Sequence, residues 1–467
     1  MADHPVLERF SPAVRAWFAS SFPEPTPPQV HGWPHIVDGR HTLICAPTGS
    51  GKTLTAFMTS IDRLCTPQPH VAPLDPKRRP RVLYISPLRA LAFDIEKNLR
   101  APLMGIALAA ERLGMPYVEP YVAMRTGDTS AKDRQALIRK PPDLLITTPE
   151  SLYLMLTSSA RDTLVNVDTV IIDEIHAMAA TKRGAHLMLS LERLEEITAR
   201  PPQRIGLSAT QRPLEEVAHF LGGHTAEGGL RPVTIVDAGI RKPLQIDVVI
   251  PVEDMGNLAG SGADVRSADL RSGPEMPSSP PHSSIWPSIY PRVLAQILEH
   301  RTTIIFTNSR RQAERLAAKL NELATDEGVR GPEGAPIELV KAHHGSLARE
   351  QRVVIEDELK RGVLRGIVAT SSLELGIDMG AVDLVIQVES PGAVSRGLQR
   401  IGRAGHSVGE PSKGTLYPKH RGDLLEAAIV TRRMIEGQIE STRFLRNPLD
   451  VLAQQIVAHT AISGDTS

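Results

Sequence analysis

The feature that most constrains the fold is a glycine-rich segment at residues 46–53, APTGSGKT, which directly follows the apolar run TLIC at residues 42–45. A short apolar run of this kind is typical of a buried parallel strand. A glycine-rich turn between such a strand and a helix points successive backbone N–H groups into one concavity, which suits nucleotide phosphates. The segment therefore predicts a strand, a phosphate-binding turn and a helix within a parallel α/β sheet.

The side chains of this segment fit the phosphates of ATP and an accompanying magnesium ion. Lys52 would reach the β- and γ-phosphates, and the Thr53 hydroxyl would take a place on Mg²⁺. Ala46 stands where the pattern usually begins with glycine, so the alternative is a glycine turn that happens to precede a lysine. The predicted phosphate-binding residues are Thr48, Gly49, Ser50, Gly51, Lys52 and Thr53.

A second motif, DEIH at residues 173–176, follows another apolar run, TVII at residues 169–172. Asp173 supplies a carboxylate for the metal, and Glu174 beside it would orient the attacking water. An Asp-Glu pair alone is common on solvated surfaces. Because each of the two motifs stands behind an apolar strand, together they predict a chain that binds and hydrolyses a nucleoside triphosphate.

Length and composition limit the classes to which this chain can belong. A chain of 467 residues corresponds to about two to four domains of roughly 100–200 residues each. No window reaches the roughly 18 apolar residues of a membrane span, and the start, MADHP, lacks the regions of a signal peptide. Two cysteines, Cys45 and Cys65, give no sign of a disulfide framework. We therefore expect a cytoplasmic protein without a membrane partner.

The charge balance restricts how the chain could hold a nucleic acid. Its 53 basic and 53 acidic side chains give a net charge of zero, so basic groups that contact nucleic acid must be local. Aromatic residues make up only 4% of the chain, which argues against a grip built on rows of stacking rings. A grip that follows the phosphate backbone is favoured instead.

Strand-like and helical runs alternate in two halves of the chain. Predicted strands lie at residues 81–86, 143–147, 169–173 and 204–208 and again at 302–306, 337–342, 366–370 and 384–388. Such alternation predicts an α/β fold whose parallel sheets are covered by helices on both faces. Between the halves, residues 252–284 are rich in Gly, Ser and Pro, which predicts a flexible insertion. Only the first half carries a phosphate loop, so we expect the nucleotide in a cleft between two cores.

The second half carries arginines that fit such a cleft. In the segment QRIGRAGH, residues 399–406, Arg400 and Arg403 stand three positions apart, so on one helical face both could point at the phosphates. An arginine supplied in this way stabilises transition-state charge. The alternative is the solvated basic start of a helix.

Two further segments are weak signals by themselves and indicate a function only because of their position after predicted strands. Residues 369–378, ATSSLELGID, follow a strand; their hydroxyls, including that of Thr370, suit sugar–phosphate contacts, while Gly376 and Asp378 can face ATP. An ordinary strand-to-helix loop is the alternative. Residues 208–210, SAT, end another strand and could connect the metal site with the cleft.

The series of motifs resembles superfamily 2 helicases of the DExH type. Gln29 resembles their adenine-recognising glutamine, and Phe22 lies where an adenine-stacking aromatic ring often occurs. Residues 86–91, SPLRAL, and 147–152, TTPESL, resemble the motifs that grip the tracking strand. More closely, the segments NLRAPL at 98–103, RTGDT at 125–129 and KRGAHL at 182–187 resemble the large helicase-related (Lhr) family of ATP-dependent DNA helicases.

This resemblance implies two tandem RecA-like domains, residues 1–235 and 236–445, with ATP and Mg²⁺ in the cleft between them. It implies a monomeric, nucleoid-associated motor that moves 3′ to 5′ on single-stranded or tailed DNA in repair or replication-related processing. Family members continue into a winged-helix domain. Residues 446–467 of this chain resemble the beginning of that domain. The implied nucleic-acid contacts are Arg89, Arg125, Thr148, Thr307, Arg310 and Thr370.

Two histidines distinguish the chain from DEAD-box RNA helicases. His176 ends the acidic motif in place of aspartate, and His406 stands where a third arginine is usual. Neutral His176 could bridge the metal carboxylates to Gln399, with one donor and one acceptor on its ring. The alternatives to a DNA motor are an ATP-gated nucleic-acid clamp without processive unwinding, and an enzyme that acts on RNA or an RNA–DNA hybrid.

Overall fold

The computed structural model describes residues 4–47, 49–67, 75–209, 211–225, 227–239, 243–255, 284–329, 338–374, 382–405 and 410–463. The predicted site residues Thr48, Gly376 and Asp378 lie outside these ranges. The predicted flexible insertion at 252–284 also lies almost entirely outside them. Two compact units make up the chain, one of Met1–Arg241 with Ser441–Ser467 and one of Lys242–Glu440.

The first unit is a seven-stranded parallel sheet with helices on both faces. Its strands are β1 (Thr42–Cys45), β2 (Val82–Ile85), β3 (Val122–Arg125), β4 (Leu144–Thr147), β5 (Thr169–Ile172), β6 (Gln203–Ser208) and β7 (Thr234–Asp237). They lie in the order β3-β4-β2-β5-β6-β1-β7. The helices are α1 (Pro12–Ser21), α2 (Pro27–Val37), α3 (Lys52–Cys65), α4 (Arg89–Arg112), α5 (Ala131–Arg139), α6 (Pro149–Leu156), α7 (His176–Ala179), α8 (Lys182–Ile197) and α9 (Leu214–Gly222).

Burial explains why these short runs form strands. Every residue of β1, β2, β4 and β5 is buried, as expected for parallel strands covered on both faces. The parallel register places Cys45 beside Ser208, and Ile85 beside Ile172. The turns that follow these four residues therefore leave the sheet at one edge, which gathers the glycine-rich turn, the acidic motif and the segment that begins at Ser86.

The second unit is a six-stranded parallel sheet in the order β10-β11-β9-β12-β13-β8. Its strands are β8 (Leu244–Val248), β9 (Thr303–Phe306), β10 (Val340–His343), β11 (Gly366–Ala369), β12 (Leu384–Val388) and β13 (Ser412–Tyr417). Its helices are α10 (Trp286–Glu299), α11 (Arg310–Asp326), α12 (Arg349–Lys360), α13 (Val394–Ile401) and α14 (Arg421–Glu436). The prediction of an α/β fold with two parallel sheets is confirmed.

From Ser441 the chain packs on the first unit again and ends in α15 (Leu449–Ser463). The backbone N–H of Thr442 donates to the carbonyl of Arg212 at 2.7 Å, and the Phe444 ring lies 6.0 Å from that of Phe220. Gln455 of α15 donates to Ser190 Oγ of α8 at 3.0 Å. This return was not predicted from the sequence, which placed the second domain at 236–445 and the start of a winged helix at 446–467.

None of the helices in the described ranges combines the length and apolar character needed to cross a bilayer.

Candidate nucleotide site and nucleic-acid-facing residues

The glycine-rich turn connects β1 to α3 and has the backbone geometry that its glycines allow. Gly49 and Gly51 have φ values of 79° and 82°, in the left-handed region that favours glycine. A Cβ atom on Gly49 would meet nothing within 4 Å, so this side of the turn is open. The Ser50 hydroxyl donates to the carbonyl of Pro47 at 2.7 Å and closes the turn from within.

Lys52, the first residue of α3, carries a buried ammonium group. The residue is only 6% exposed, and none of the described residues offers its Nζ a hydrogen-bond acceptor. The carboxylate oxygen Glu174 Oε1 lies 3.7 Å from this Nζ, beyond hydrogen-bond distance. Because a buried ammonium is costly without acceptors, phosphate oxygens at the open side of the turn would supply what this group lacks. Thr53 follows it in the first turn of α3 and is half-buried.

The two predicted adenine contacts lie in the segment that precedes β1. Gln29 is buried, and its Oε1 accepts a hydrogen bond from the Thr26 N–H at 2.9 Å, which caps α2. Its Nε2 faces the glycine-rich turn, since a Cβ atom on Gly51 would lie 3.0 Å from it. The Phe22 ring packs at 4.9 Å from Phe18 and remains 40% exposed.

The acidic pair follows β5 and is almost wholly buried. Asp173 Oδ1 accepts a hydrogen bond from the Glu174 N–H at 2.9 Å, and Oδ2 accepts one from the Tyr84 hydroxyl. Burial, reinforced by the charge of Glu174, raises the pKa of Asp173 to about 6, while Lys52 opposes this shift. Glu174 has a φ of 46°, a conformation that is strained for a residue with a side chain.

His176 is neutral and connects the acidic motif to the segment after β6. Burial lowers the pKa of His176 to about 4, against a weaker opposing effect of Glu174. Its Nδ1 accepts a hydrogen bond from the Ala209 N–H at 3.2 Å, so the ring proton resides on Nε2. The approach of Nδ1 to Glu174 Oε2 at 3.5 Å is therefore not an ion pair. His176 and the predicted partner Gln399 belong to different units.

The donors around Asp173 fit magnesium. A buried carboxylate whose pKa is raised by desolvation and by a second carboxylate gains from a divalent cation. Mg²⁺ typically takes one or two carboxylates together with substrate phosphates and keeps several waters. The described residues contain no cluster of three or more His, Cys, Asp and Glu side chains that would form a dedicated metal cage. Thr53 and Asp173 thus suit a metal ion that arrives with a nucleotide.

In the second unit Arg400, which is predicted to point at phosphates, is an interior residue. It is 3% exposed, and its Nε donates to Glu374 Oε1 at 2.7 Å. Its Nη1 donates to Gln387 Oε1 at 2.8 Å and to Asn308 Oδ1 at 3.1 Å. The guanidinium also lies 5.2 Å from the centre of the Phe306 ring. All three of its nitrogens are therefore engaged inside this unit.

The two arginines of this segment differ in their local structure. Helix α13 ends at Ile401, and Gly402 caps it, so Arg403 lies beyond the helix and shares no helical face with Arg400. Arg403 is half-buried and donates from Nη2 to the carbonyl of Glu374 at 2.8 Å. Gln399, on α13, is also half-buried. Of the two arginines, Arg403 alone keeps the expectation of a phosphate contact.

The predicted nucleic-acid contacts of the first unit differ in their surroundings. Arg89, at the start of α4, is exposed and forms an ion pair with Asp128. Arg125, at the end of β3, is 8% exposed. Burial, followed by the charge of Arg134, lowers the pKa of Arg125. The Thr148 hydroxyl accepts from the Ser151 N–H at 3.4 Å and so caps α6.

The predicted contacts of the second unit gather at one edge of its sheet. Thr307 follows β9 and Thr370 follows β11, and the register pairs Phe306 with Ala369. The Thr307 hydroxyl donates to the carbonyl of Ser309 at 3.2 Å. Arg310, the first residue of α11, donates to Ser346 Oγ at 2.6 Å.

Comparisons with known proteins match both halves of the chain to helicase domains. Residues 26–217 match the DEAD/DEAH box helicase family, and residues 289–407 match the helicase conserved C-terminal domain. The Lhr helicase/probable uracil glycosylase of Mycolicibacterium smegmatis is 51% identical over 98% of this chain and 30% of that protein. The ATP-dependent helicase Lhr-Core of Methanocaldococcus jannaschii is 41% identical over 98% of this chain and 49% of that protein.

A solved structure extends this likeness to three dimensions. The structure of Mycobacterium smegmatis helicase Lhr bound to ssDNA and AMP-PNP has a TM-score of 0.85 and 52% identity, covering 98% of this chain and 54% of that one. The two domains define the chain as a member of the DEAD/DEAH box helicases. Within that class it is similar to Lhr helicases over nearly its whole length, and it spans between about a third and a half of the length of the curated relatives described above.

Proposed function

We propose that this chain is the ATP-hydrolysing motor of a helicase or translocase that acts on single-stranded or tailed DNA. The observation that carries the proposal is the buried Lys52 ammonium, which has no acceptor among the described residues and lies 3.7 Å from Glu174. A buried cation and two buried carboxylates at the edge of a parallel sheet, beside an open glycine turn, suit a nucleotide with its metal.

Residues of both units would take part in ATP binding and hydrolysis. Gln29 and Phe22 recognise the adenine, the amides of residues 48–51 cradle the phosphates, and Lys52 neutralises them. Bound Mg²⁺, held by Thr53 and Asp173, would supply charge neutralisation at the phosphate oxygens. Glu174 orients water for in-line attack. Arg403, rather than the enclosed Arg400, would stabilise the transition-state charge from the second unit.

The remaining predicted contacts of the second unit and of His176 complete this scheme. Gly376 and Asp378 would face the nucleotide, and neutral His176 would offer its Nε2–H toward Gln399 when the units close. Closure and opening of the two units would then accompany each ATP cycle.

DNA would contact residues that follow the strands of both sheets. Arg125 is the strongest candidate, since burial disfavours its charged form and a phosphate would compensate that charge. Arg89, Thr148, Thr307, Arg310 and Thr370 would add contacts to the backbone. The likeness to a relative solved with ssDNA supports DNA as the substrate. We further propose 3′-to-5′ movement by a monomer on DNA in the cytoplasm, in repair or replication-related processing.

ATP turnover with and without single strands tests this proposal. The wild-type chain should hydrolyse ATP faster with single-stranded DNA, and Glu174→Gln should bind ATP but not hydrolyse it. A Glu174→Gln protein that turns over at the parent rate would remove Glu174 from the water-orienting role. Unwinding of a 3′-tailed duplex separates a motor from an ATP-gated clamp, and matched DNA and RNA strands at fixed salt separate the two substrates.

A further inference from the structure

We infer that Tyr84 is a positioning residue for the metal carboxylate, because its hydroxyl fixes the orientation in which Asp173 would meet Mg²⁺. This inference rests on the proposed function and assigns a role to a residue outside the glycine-rich and acidic motifs. It would act through Asp173 rather than by direct contact with the nucleotide.

The sheet register brings the tyrosine to the carboxylate. Tyr84 of β2 pairs with Ile171 of β5, and Asp173 stands two residues after Ile171. Because side chains alternate along a strand, Ile171 and Asp173 project on the same face of the sheet as Tyr84. The Tyr84 hydroxyl accordingly donates a hydrogen bond to Asp173 Oδ2. The contact thus follows from pairing of neighbouring strands rather than from a mobile loop.

The Tyr84 ring is itself held in place. It is completely buried and stacks on the Phe57 ring with centroids 4.9 Å apart and an interplanar angle of 24°. Phe57 belongs to α3, the helix that begins with Lys52 and Thr53. The tyrosine therefore ties the acidic motif to the helix that carries the other predicted metal ligand.

Two fixed donors determine the plane of the Asp173 carboxylate. Oδ1 accepts from the Glu174 N–H at 2.9 Å, while Oδ2 accepts from Tyr84. With one donor on each oxygen, rotation of the carboxylate breaks at least one hydrogen bond, and the lone pairs that remain keep a constant direction. Outer partners of this kind typically contribute a factor of 10–100 to metal affinity.

A buried phenol needs a hydrogen-bond partner in any case, so a merely structural role would also place its hydroxyl on a neighbouring acceptor. Such a role predicts an effect of Tyr84→Phe on stability but none on the magnesium requirement. The magnesium requirement is therefore the measurement that separates the two roles.

The test titrates Mg²⁺ against a fluorescent ATP analogue bound to the full chain and compares the half-saturating Mg²⁺ concentration of Tyr84→Phe with that of wild type. Phenylalanine keeps the stacked ring and removes only the hydroxyl. We expect the half-saturating Mg²⁺ concentration to rise about 10-fold or more. Binding of the analogue in EDTA should stay within about twofold of wild type, because the phosphate turn is untouched. Tyr117→Phe is the matched control, since the Tyr117 hydroxyl donates to the carbonyl of Leu103 at 3.3 Å, away from Asp173.

The outcomes distinguish this inference from the proposed function. If wild type shows no magnesium-dependent nucleotide binding, the proposed function fails. If wild type shows it and Tyr84→Phe has the same half-saturating Mg²⁺ concentration, the positioning role is overturned. Should Tyr84→Phe not fold, Phe57→Leu replaces it, because it keeps the hydroxyl but removes the ring support. A raised magnesium requirement in Phe57→Leu then supports the inference, and an unchanged one overturns it.

Discussion

Replacement of Arg400 by alanine should destabilise the second unit rather than act at the phosphates. The variant leaves the carboxylate of Glu374 without the guanidinium that contacts it through Nε and Nη2. Arg396 Nε remains 3.9 Å from this carboxylate, too far to replace the lost hydrogen bonds. Gln387 and Asn308 also lose their donor. The variant therefore removes one partner of a buried, hydrogen-bonded ion pair.

The expected cost follows from that burial. The side chains of Arg400 and Glu374 are 4% and 11% exposed. Removal of one partner from such a buried pair typically costs about 3–5 kcal/mol. Since a domain is stable by roughly 5–15 kcal/mol, this is a large fraction of the total. Arg403→Ala removes the hydrogen bond to the Glu374 carbonyl, a contact that contributes about 1 kcal/mol, but should lower ATP turnover by about 10³-fold or more.

Hydrogen exchange measured by mass spectrometry reports the local stability of the second unit separately from that of the first. Peptides from β12 and α13 should exchange faster in Arg400→Ala by a factor of roughly 100 to several thousand, the equivalent of the expected cost. Arg396→Ala is the matched control on the same helix, since its side chain is 50% exposed and its loss should change exchange little. Unchanged exchange in Arg400→Ala together with lost turnover would refute the reasoning and return Arg400 to the phosphates.

Three further predictions concern single side chains. Lys52→Ala should abolish ATP hydrolysis, measured by phosphate release, because it removes the buried positive charge that would face the phosphates; normal turnover would contradict the ATPase assignment. Arg125→Ala should weaken binding of single-stranded DNA and reduce the slope of log affinity against log salt concentration by the contribution of about one phosphate contact. ATP turnover in the absence of DNA should not change. An unaltered salt slope would remove Arg125 from the DNA contact. The pKa of His176 is lowered to about 4 from 6.5, so between these values the unfolded state binds more protons and stability falls as pH falls. At pH 5 this loss is about 2 kcal/mol relative to neutral pH. The pKa of Asp173 is raised to about 6 in the folded state, so this residue increases stability as pH falls from 6 to 3.8. This effect is present in wild type and in a His176→Asn variant alike, so it cancels when the two are compared. His176→Asn keeps an acceptor for Ala209, and its melting temperature should fall less than that of wild type between pH 7 and 5. Equal falls would contradict the neutral buried histidine.

Features that depend on a short stretch of chain were predictable. The apolar runs at 169–172 and 384–388 lie on β5 and β12 with almost the same bounds, because burial on both faces leaves a continuous apolar signal. Strand β3 was not predicted, since it stands at the edge of its sheet and its first three residues are only half-buried. The glycine-rich turn was also predictable, because its shape depends on the left-handed φ values of two glycines within the turn itself.

Features that depend on distant contacts were not predictable. Tyr84 fits the apolar strand around it as an ordinary core residue, and only the pairing of β2 with β5 brings its hydroxyl to Asp173. Arg400 looks like a surface residue of a basic motif, and only the acceptors from three other segments explain its burial. Asn308 and Gln387 were missed as well, because a single buried amide has no periodic signal in a sequence.

The return of the chain to the first unit has a consequence for synthesis on the ribosome. The first unit consists of Met1–Arg241 and the segment from Ser441, with the second unit between them. The partners of Phe220 and Ser190, namely Phe444 and Gln455, leave the ribosome about 200 residues after Arg241. At roughly 5–20 residues per second, the nascent first unit waits about 10–40 s with this apolar and polar surface uncovered. During that interval the growing chain exposes a surface that the segment from Ser441 later covers.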